Sequence, residues 1–459
     1  MAVWSLTDLS SVTQFERIDG EYFLPVYVSN HEVLSKMETD SLPHSFFVSD
    51  GNHLSVSKHF SDNGEIPYFR GHDVNDFFLD NAKPIRIPEK IYESPMMHRS
   101  YFQTDDVLLS IVGTIGSLSI VTETIGPATG SCKIAILRSK GEYSPFVLGA
   151  FLLSKYGQLQ IKRNTRGAVQ MGLILKDLTR IQIPKITDNQ QTIIEALVKK
   201  AISCNSNSKA FYTQAQQLLE SELGLDQLKF KKPVGYTARF SEIESSRRLD
   251  SEYFDPIVAS IVERISAFDH VKLGSSCSVG NGFPWNSKKF LSNNSGEPVV
   301  RIRNIRPSYI DIDELTSIIP KYAQQIGFLK ANRGDVVVGM DGIKYFYASI
   351  LEDKCYVNQR IAHLTWRPDA KISPEYSTFI INSRIGQAQL LRDMTVATTV
   401  GHITNRNISN LLIPYVSDTF HQQITNVVRQ SIDKKCEAKS LLDQAKTRVE
   451  QLIEEAIRK

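Results

Sequence analysis

The sequence predicts a mixed α/β (α+β) protein made of two copies of one module, each followed by a long helix, with the two helices lying antiparallel as a coiled coil. Three observations carry this reading. There is an internal repeat at a near-constant offset, strand-like runs recur in the same order in each half, and two stretches keep a sustained 3-4 apolar spacing.

The repeat comes first, because it decides the architecture. Arg17-Ile-Asp-Gly-Glu-Tyr-Phe-Leu-Pro25 matches Arg248-Leu-Asp-Ser-Glu-Tyr-Phe-Asp-Pro256 at an offset of 231 (248 − 17). Ile66-Pro-Tyr-Phe-Arg70 matches Glu297-Pro-Val-Val-Arg301 at the same offset. Asp106-Val-Leu-Leu-Ser110 matches Asp335-Val-Val-Val-Gly339 at 229, and Ser154-Lys-Tyr-Gly-Gln158 matches Ser383-Arg-Ile-Gly-Gln387 at 229. Ile183-Pro184 matches Ile413-Pro414 at 230. A drift of one or two residues is what short loop insertions leave behind. A period this long is a duplicated domain, not a solenoid.

Within each copy the Val- and Ile-rich runs read as strands, bounded by Gly, Asp or Pro. In the first they are Ile66–Phe69, Val107–Val112, Ile115–Val121 and Ile134–Leu137. In the second they are Val299–Ile302, Val336–Gly339, Tyr347–Leu351 and Ile361–Leu364. One helix is expected after each set, Pro145–Ile161 and Pro374–Leu391. A Gly/Thr-rich loop and a closing strand follow, at Ile181–Pro184 and Leu411–Pro414.

Asp188 to Leu223 contains neither Pro nor Gly. Its residues Ile194, Leu197, Ala201, Cys204, Ser208, Phe211, Ala215 and Leu218 are spaced 3, 4, 3, 4, 3, 4, 3. That is a heptad seam. The C-terminal segment repeats it through Ile424, Val428, Ser431, Lys435, Ala438, Leu442, Ala445, Val449, Leu452 and Ala456. Both seams turn polar near the middle, at Ser208 and at Ser431/Lys435, and a polar seam residue fixes register at some cost in stability. A helix of roughly 35 residues is about 50 Å long and suits a spacer between globular modules. The expected domains are residues 1–186, a central helical spacer and linker at 187–247, 248–416, and a C-terminal helical spacer at 417–459.

Composition narrows the class. With 41% hydrophobic residues in 459, the chain has ample core for several domains. A net charge of +3 is too small for bulk charge to signal nucleic-acid binding, so any basic face must be local. The five scattered cysteines, Cys132, Cys204, Cys277, Cys355 and Cys436, form no CxxC pair and read as buried thiols of a reducing cytosol. Neither a signal peptide nor an apolar run of about 18 residues is present, so a cytoplasmic, non-membrane protein is expected. Catalytic motifs are missing as well. The sequence has no [DN]PP[YF] motif with a glycine-rich cofactor loop and no phosphate-binding GxxxxGK[ST]. Pro368-Asp369-Ala-Lys371 only faintly resembles a nuclease signature, sits beside a turn and has no counterpart in the first copy.

Taken together, Arg248-Leu-Asp-Ser-Glu-Tyr-Phe-Asp-Pro256, His270-Val-Lys-Leu-Gly274, Pro298-Val-Val-Arg-Ile-Arg303, Arg333-Gly-Asp-Val-Val-Val338, Asn407-Ile-Ser-Asn-Leu-Leu-Ile-Pro414 and His421-Gln-Gln-Ile424 resemble the type I restriction-modification specificity subunit. So do Gly113-Thr-Ile-Gly116, Leu178-Thr-Arg-Ile-Gln-Ile-Pro184 and Asn189-Gln-Gln191 in the first copy. The likeness runs over nearly the whole chain. It departs where the first copy lacks a clear counterpart of Lys272-Leu-Gly274…Gly280-Asn-Gly282, with Ser49-Asp-Gly51 the nearest. The second copy also has Gly342-Ile-Lys-Tyr345 in place of Gly-Thr-Ile-Gly. The resemblance implies two target-recognition domains that read a two-part double-stranded DNA target. It also implies no catalysis and no cofactor in this chain, recruitment of two methyltransferase subunits that carry S-adenosylmethionine, and a restriction motor-nuclease subunit as a further partner. A type IIG-like or other phage-defence complex, or a scaffold that binds protein rather than DNA, is the alternative.

Arg pairs bidentately with guanine and Asn or Gln with adenine, while Lys and Arg also hold phosphates. Candidates of this chemistry lie on expected loops. After the matched strands stand Arg70 and His72 in the first copy, and Arg301, Arg303 and Arg306 in the second. After the helices come Lys162, Arg163, Arg166 and Gln170, then Arg392, Thr398 and His402; Lys344 is a further candidate. Tyr22, Phe23, Tyr253 and Phe254 head the modules and read as packing residues. Leu197, Phe211, Leu218, Val428, Leu442 and Val449 are the expected seam of the spacer helices. No metal ligand set is expected.

Overall fold

The computed structural model describes residues 6–7, 9–74, 77–79, 84–167, 171–227, 235–291, 295–311, 315–342, 345–397 and 400–458. The chain divides into two compact units. One holds Met1–Ser206 and Lys435–Lys459, the other Asn207–Lys434.

The central sheet of the first unit is antiparallel, in the order Phe46–Asp50, Ile134–Ser139, Val107–Ser110, Leu118–Ile120. Beside it, Ile66–Phe69 pairs antiparallel with Ile85–Ile87 and parallel with Thr129–Gly130. Thr39–Ser41 pairs with the closing strand Gln182–Pro184. The second unit repeats this plan. Its central sheet runs Cys277–Asn281, Ile361–Trp366, Val336–Gly339, Ala348–Ile350. Glu297–Val300 pairs antiparallel with Thr316–Ile318 and parallel with Tyr356–Val357, and His270–Lys272 pairs with Leu412–Pro414.

Residues 107–109, 134–137 and 336–338 are apolar at successive positions because both sheet faces are covered there. Side chains alternate across a strand. Val107 and Leu109 therefore join one core and Leu108 another, and Ala135 and Leu137 part from Ile134 and Ile136 in the same way. In the second unit Val336 and Val338 separate from Val337. The structure also supplies the missing counterpart of the Lys272-Leu-Gly274 opening: Leu42–Ser45 is a short helical turn between the Thr39 and Phe46 strands, as Leu273–Ser276 is between the His270 and Cys277 strands.

Where the sequence predicts one helix after each strand set, the structure has two. They are Pro145–Leu153 and Lys155–Arg163, then Pro374–Asn382 and Arg384–Asp393. The break is at Ser154 and Ser383, each extended (ψ 162° and 168°). Their hydroxyls accept the Gly157 and Ile385 N–H groups at 3.2 and 3.3 Å. Each hydroxyl is an N-cap that competes with helix continuation. The Gly three residues on is required, because a Cβ at Gly157 would lie 2.2 Å from the Phe151 carbonyl oxygen, and one at Gly386 2.4 Å from that of Ile380.

The two long helices are Asp188–Glu222 and Asp418–Arg458, and they pair antiparallel. In the first unit Ile194, Val198, Ala201 and Cys204 share a core with Ala438, Leu441, Ala445, Val449, Leu452 and Ile453. In the second, Ala215 and Leu219 share one with Ile424 and Val428. Of the expected seam, Val428 and Val449 are buried, while Leu197, Phe211, Leu218 and Leu442 are half-buried. Their neighbours Val198, Leu219 and Leu441 lie deeper. The polar stations meet one another. Ser208 and Ser431 exchange hydroxyl-to-carbonyl hydrogen bonds at 2.7 and 2.8 Å, and Lys435 donates to the Asn205 side-chain oxygen at 3.0 Å. No described helix is long and apolar enough to cross a membrane.

Candidate nucleic-acid interface

In each unit the repeated motifs bind a basic turn and two loops to the helix pair. Arg17 donates through Nε and Nη2 to both carboxylate oxygens of Asp19 at 2.6 Å, and through Nη2 to the Thr165 carbonyl at 3.0 Å. Arg248 does the same to Asp250 at 2.5 Å and to the Met394 carbonyl at 2.7 Å. The fork holds the Asp19 and Asp250 carboxyls below their ordinary pKa. The motif thus ties the head of the module to the chain leaving the second helix. Gln158 continues the tie, donating to the Leu152 and Gly116 carbonyls at 2.8 and 3.0 Å. Gln387 donates to the Ile381 and Phe346 carbonyls at 2.8 and 2.9 Å.

Three elements converge at one end of the first central sheet. The turn Gly71–Asp73 is capped by Asp73, whose carboxylate accepts the Arg70 N–H at 2.7 Å. Thr114, in the Gly-Thr-Ile-Gly loop, donates to the Gly71 carbonyl at 3.1 Å. Gly113 and Gly116 both sit at φ +89°, a region that favours glycine. The third element is the segment after the helices. Arg166 and Gly172 exchange backbone hydrogen bonds at 2.9 Å, and Leu173 N–H donates to the Ile111 carbonyl at 2.9 Å. The second unit places the same three elements together. Arg301 N–H donates to Asn304 at 2.9 Å, heading the turn Ile302–Asn304. Ile403 N–H donates to the Met340 carbonyl at 3.0 Å, and Asp341–Gly342 pairs with Val400–His402. There the last segment is a β-hairpin, Thr395–Ala397 with Val400–His402.

Residues 45–210 match the family model of the type I restriction modification DNA specificity domain. The first unit is thus similar to that specificity domain. The second unit repeats the first unit's strands, helix break and capped turn. Similar solved structures include the type I restriction-modification S subunit from M. genitalium, at 13% identity over 91% of this chain and 95% of that one, with a TM-score of 0.40. Others are the HsdS subunit from Thermoanaerobacter tengcongensis (13%; 92% and 96%; TM-score 0.28) and the type IIG restriction endonuclease BpuSI (12%; 41% and 29%; TM-score 0.31). No curated protein matches.

In the first unit the candidate cations fall into two groups. His72, beside Asp73 at 3.3 Å, and Lys162 are exposed, and Arg70 is half-exposed at the convergence. Arg166 lies at its rim but is ion-paired to the buried Asp177. Arg163 is interior, which corrects its reading as a loop cation. It is 7% exposed, lies 4.2 Å above the Tyr22 ring and 4.7 Å from the Phe15 ring, and donates to the Tyr22 carbonyl at 3.2 Å. Burial lowers its pKa. Arg392 has the equivalent place, 4.6 Å above Tyr253, with a hydrogen bond to that phenol at 3.2 Å. The basic character of these two serves packing, because a guanidinium stacks on an aromatic face when both are shielded. Tyr22 and Phe23 are buried, as a packing role requires.

In the repeat, Arg301 lies over the Phe290 ring at 5.6 Å, exposed Arg303 reaches Thr316 at 3.4 Å, and Arg306 pairs with Asp311 at 3.2 Å. His402 is held by Asp341 at 2.7 Å. Gln170, Lys344 and Thr398 lie outside the described residues. Among the described residues no group of three or more His, Cys, Asp or Glu is placed to hold a metal ion.

Two basic residues not singled out from the sequence stand beside the turns. Lys133 and Arg360 precede the strands Ile134–Ser139 and Ile361–Trp366. The signal was present in Lys133-Ile-Ala-Ile against Arg360-Ile-Ala-His, but at an offset of 227 (360 − 133), outside the 229–231 register that marked the other motifs.

Proposed function

We propose that this chain is the non-catalytic sequence-specificity subunit of a type I restriction-modification complex. It binds a two-part double-stranded DNA target, one part per module, and recruits methyltransferase and restriction subunits. The methyltransferase supplies S-adenosylmethionine and the chemistry. One observation carries the reading. In both modules a capped turn headed by Arg (Arg70, Arg301), a loop after the central strand and the segment after the helix pair meet at the same sheet end. Exposed cations there suit phosphates and guanine edges, while the interior arginines lock the frame. Net charge is small, so specificity rests on these local faces.

The test is single-molecule sequencing of host DNA with and without the gene. Loss of one adenine-methylated bipartite motif on deletion is expected. An unchanged set of modified motifs in a host whose partner methyltransferase is expressed overturns the reading.

A further inference from the structure

We infer that Lys133 and Arg360 are an equivalent pair of phosphate contacts, one per module, that set the register of the duplex against the bases read by the neighbouring loops. The inference rests on the DNA-reading function proposed above and names residues within that surface.

Three facts place them. First, their backbones are equivalent despite the different offset. The Lys133 carbonyl accepts the Ile111 N–H at 3.0 Å, and the Arg360 carbonyl accepts the Met340 N–H at 2.9 Å. Ile111 and Met340 are the residues that leave the two central strands. Two residues earlier, Ser131 N–H donates to the Phe69 carbonyl at 2.8 Å and Asn358 N–H to the Val300 carbonyl at 2.9 Å. Phe69 and Val300 immediately precede Arg70 and Arg301, so each cation is fixed beside the Arg-headed turn. Second, the spacing is close: a Cβ built on Gly71 would lie 3.3 Å from the Lys133 Cβ. Third, both side chains are exposed. Among the described residues Lys133 makes no ion pair, and Arg360 has only a loose one, 3.9 Å from Asp341, whose same oxygen is held at 2.7 Å by His402. Arg360 is also held at φ +67°, a conformation that bulky residues seldom adopt, at the point where its module turns into the strand.

Both modules therefore present a solvated cation, on hydrogen-bonded backbone at the start of a central strand, next to the elements that differ between them. A cation repeated where the sequence-reading loops diverge suits the part of DNA that does not vary, the phosphate.

The experiment measures binding of the full chain, co-expressed with its methyltransferase partner, to a random-sequence duplex pool and to the duplex enriched from it, between about 50 and 200 mM salt. Each of Lys133→Ala and Arg360→Ala is expected to lower the slope of log K against log salt by about 0.9, and the double variant by about 1.8. Affinity should weaken alike for both duplexes. Lys133→Arg and Arg360→Lys should restore the slope. Unchanged slopes in variants whose wild-type parent binds DNA overturn this inference alone. A change in the enriched sequence makes the pair base-reading and also overturns it. A wild-type complex that binds neither duplex overturns the proposed function itself.

Discussion

Ser208 and Ser431 each donate their hydroxyl to the other's backbone carbonyl, at 2.7 and 2.8 Å. Both side chains are buried, and their seam neighbours are Cys204 and Phe211 on one helix and Val428 and Lys435 on the other. The pair is a reciprocal lock at the polar middle of the seam. Ser208→Ala should cost about 1 kcal/mol, and the double Ser208→Ala/Ser431→Ala variant hardly more than either single change, because each carbonyl still has its helical partner. Ser208→Leu should cost more than either, since the site has no room for three further carbons. Denaturant melts of the four proteins check this, and fully additive single losses would count against a mutual lock.

Arg163 above Tyr22 predicts a stability effect. Arg163→Ala removes a shielded stack and a charge-assisted hydrogen bond, for a loss of roughly 3 kcal/mol. Arg392→Ala, at a half-buried site, should cost less. Calorimetry on the two variants decides. A destabilisation of Arg163→Ala within about 0.5 kcal/mol of zero, together with a changed salt slope of DNA binding, would return the residue to the DNA-contact group.

Gly401 sits where the hairpin crosses the loop after the central strand. A Cβ there would lie 2.0 Å from Met394 Sδ and 2.8 Å from the Gly342 carbonyl oxygen, and Met394 is itself buried. Gly401→Ala must shift the hairpin or the loop. The expected outcome is relaxed or lost recognition of one half of the target with the other half intact. The methylation motif of the variant complex reports it. Equal loss at both halves would point to unfolding instead.

His421 predicts a pH dependence. Its Nε2 accepts the Ser373 N–H at 3.1 Å, which only a neutral ring can do, and burial holds its pKa below the ordinary 6.5. The unfolded chain then takes up a proton before the folded one. Stability is therefore complete above about pH 6.5 and falls as pH drops from there toward the folded-state pKa. In the first module Gln191 occupies this place and accepts the Ser144 N–H at 2.9 Å. His421→Gln should keep the bond and flatten that part of the Tm–pH curve between pH 7 and 5. An unchanged slope in the variant would rule His421 out as its source.

The sequence by itself determined the duplication, the antiparallel helix pair and several of the strands, because these rest on periodicity and on motifs repeated at one offset, whereas the edge strands Phe46–Asp50 and Cys277–Asn281 of the central sheets were not legible in it. Ile66–Phe69 and Val336–Gly339 coincide with strands in the structure. Tertiary structure decided the rest. A helix-period pattern runs through Ser154 and Ser383, and the break comes from their hydroxyl caps together with the close packing of Gly157 and Gly386 onto the preceding carbonyls. Lys162 and Arg163 are adjacent in the chain, yet one faces solvent and the other an aromatic ring, a choice set by where Tyr22 and Phe15 arrive from elsewhere in the fold. Lys133 and Arg360 became equivalent only through the hydrogen bonds that align two strands whose loops differ in length. Sequence spacing records which residues recur, whereas burial and neighbours are properties of surfaces that only folding brings together.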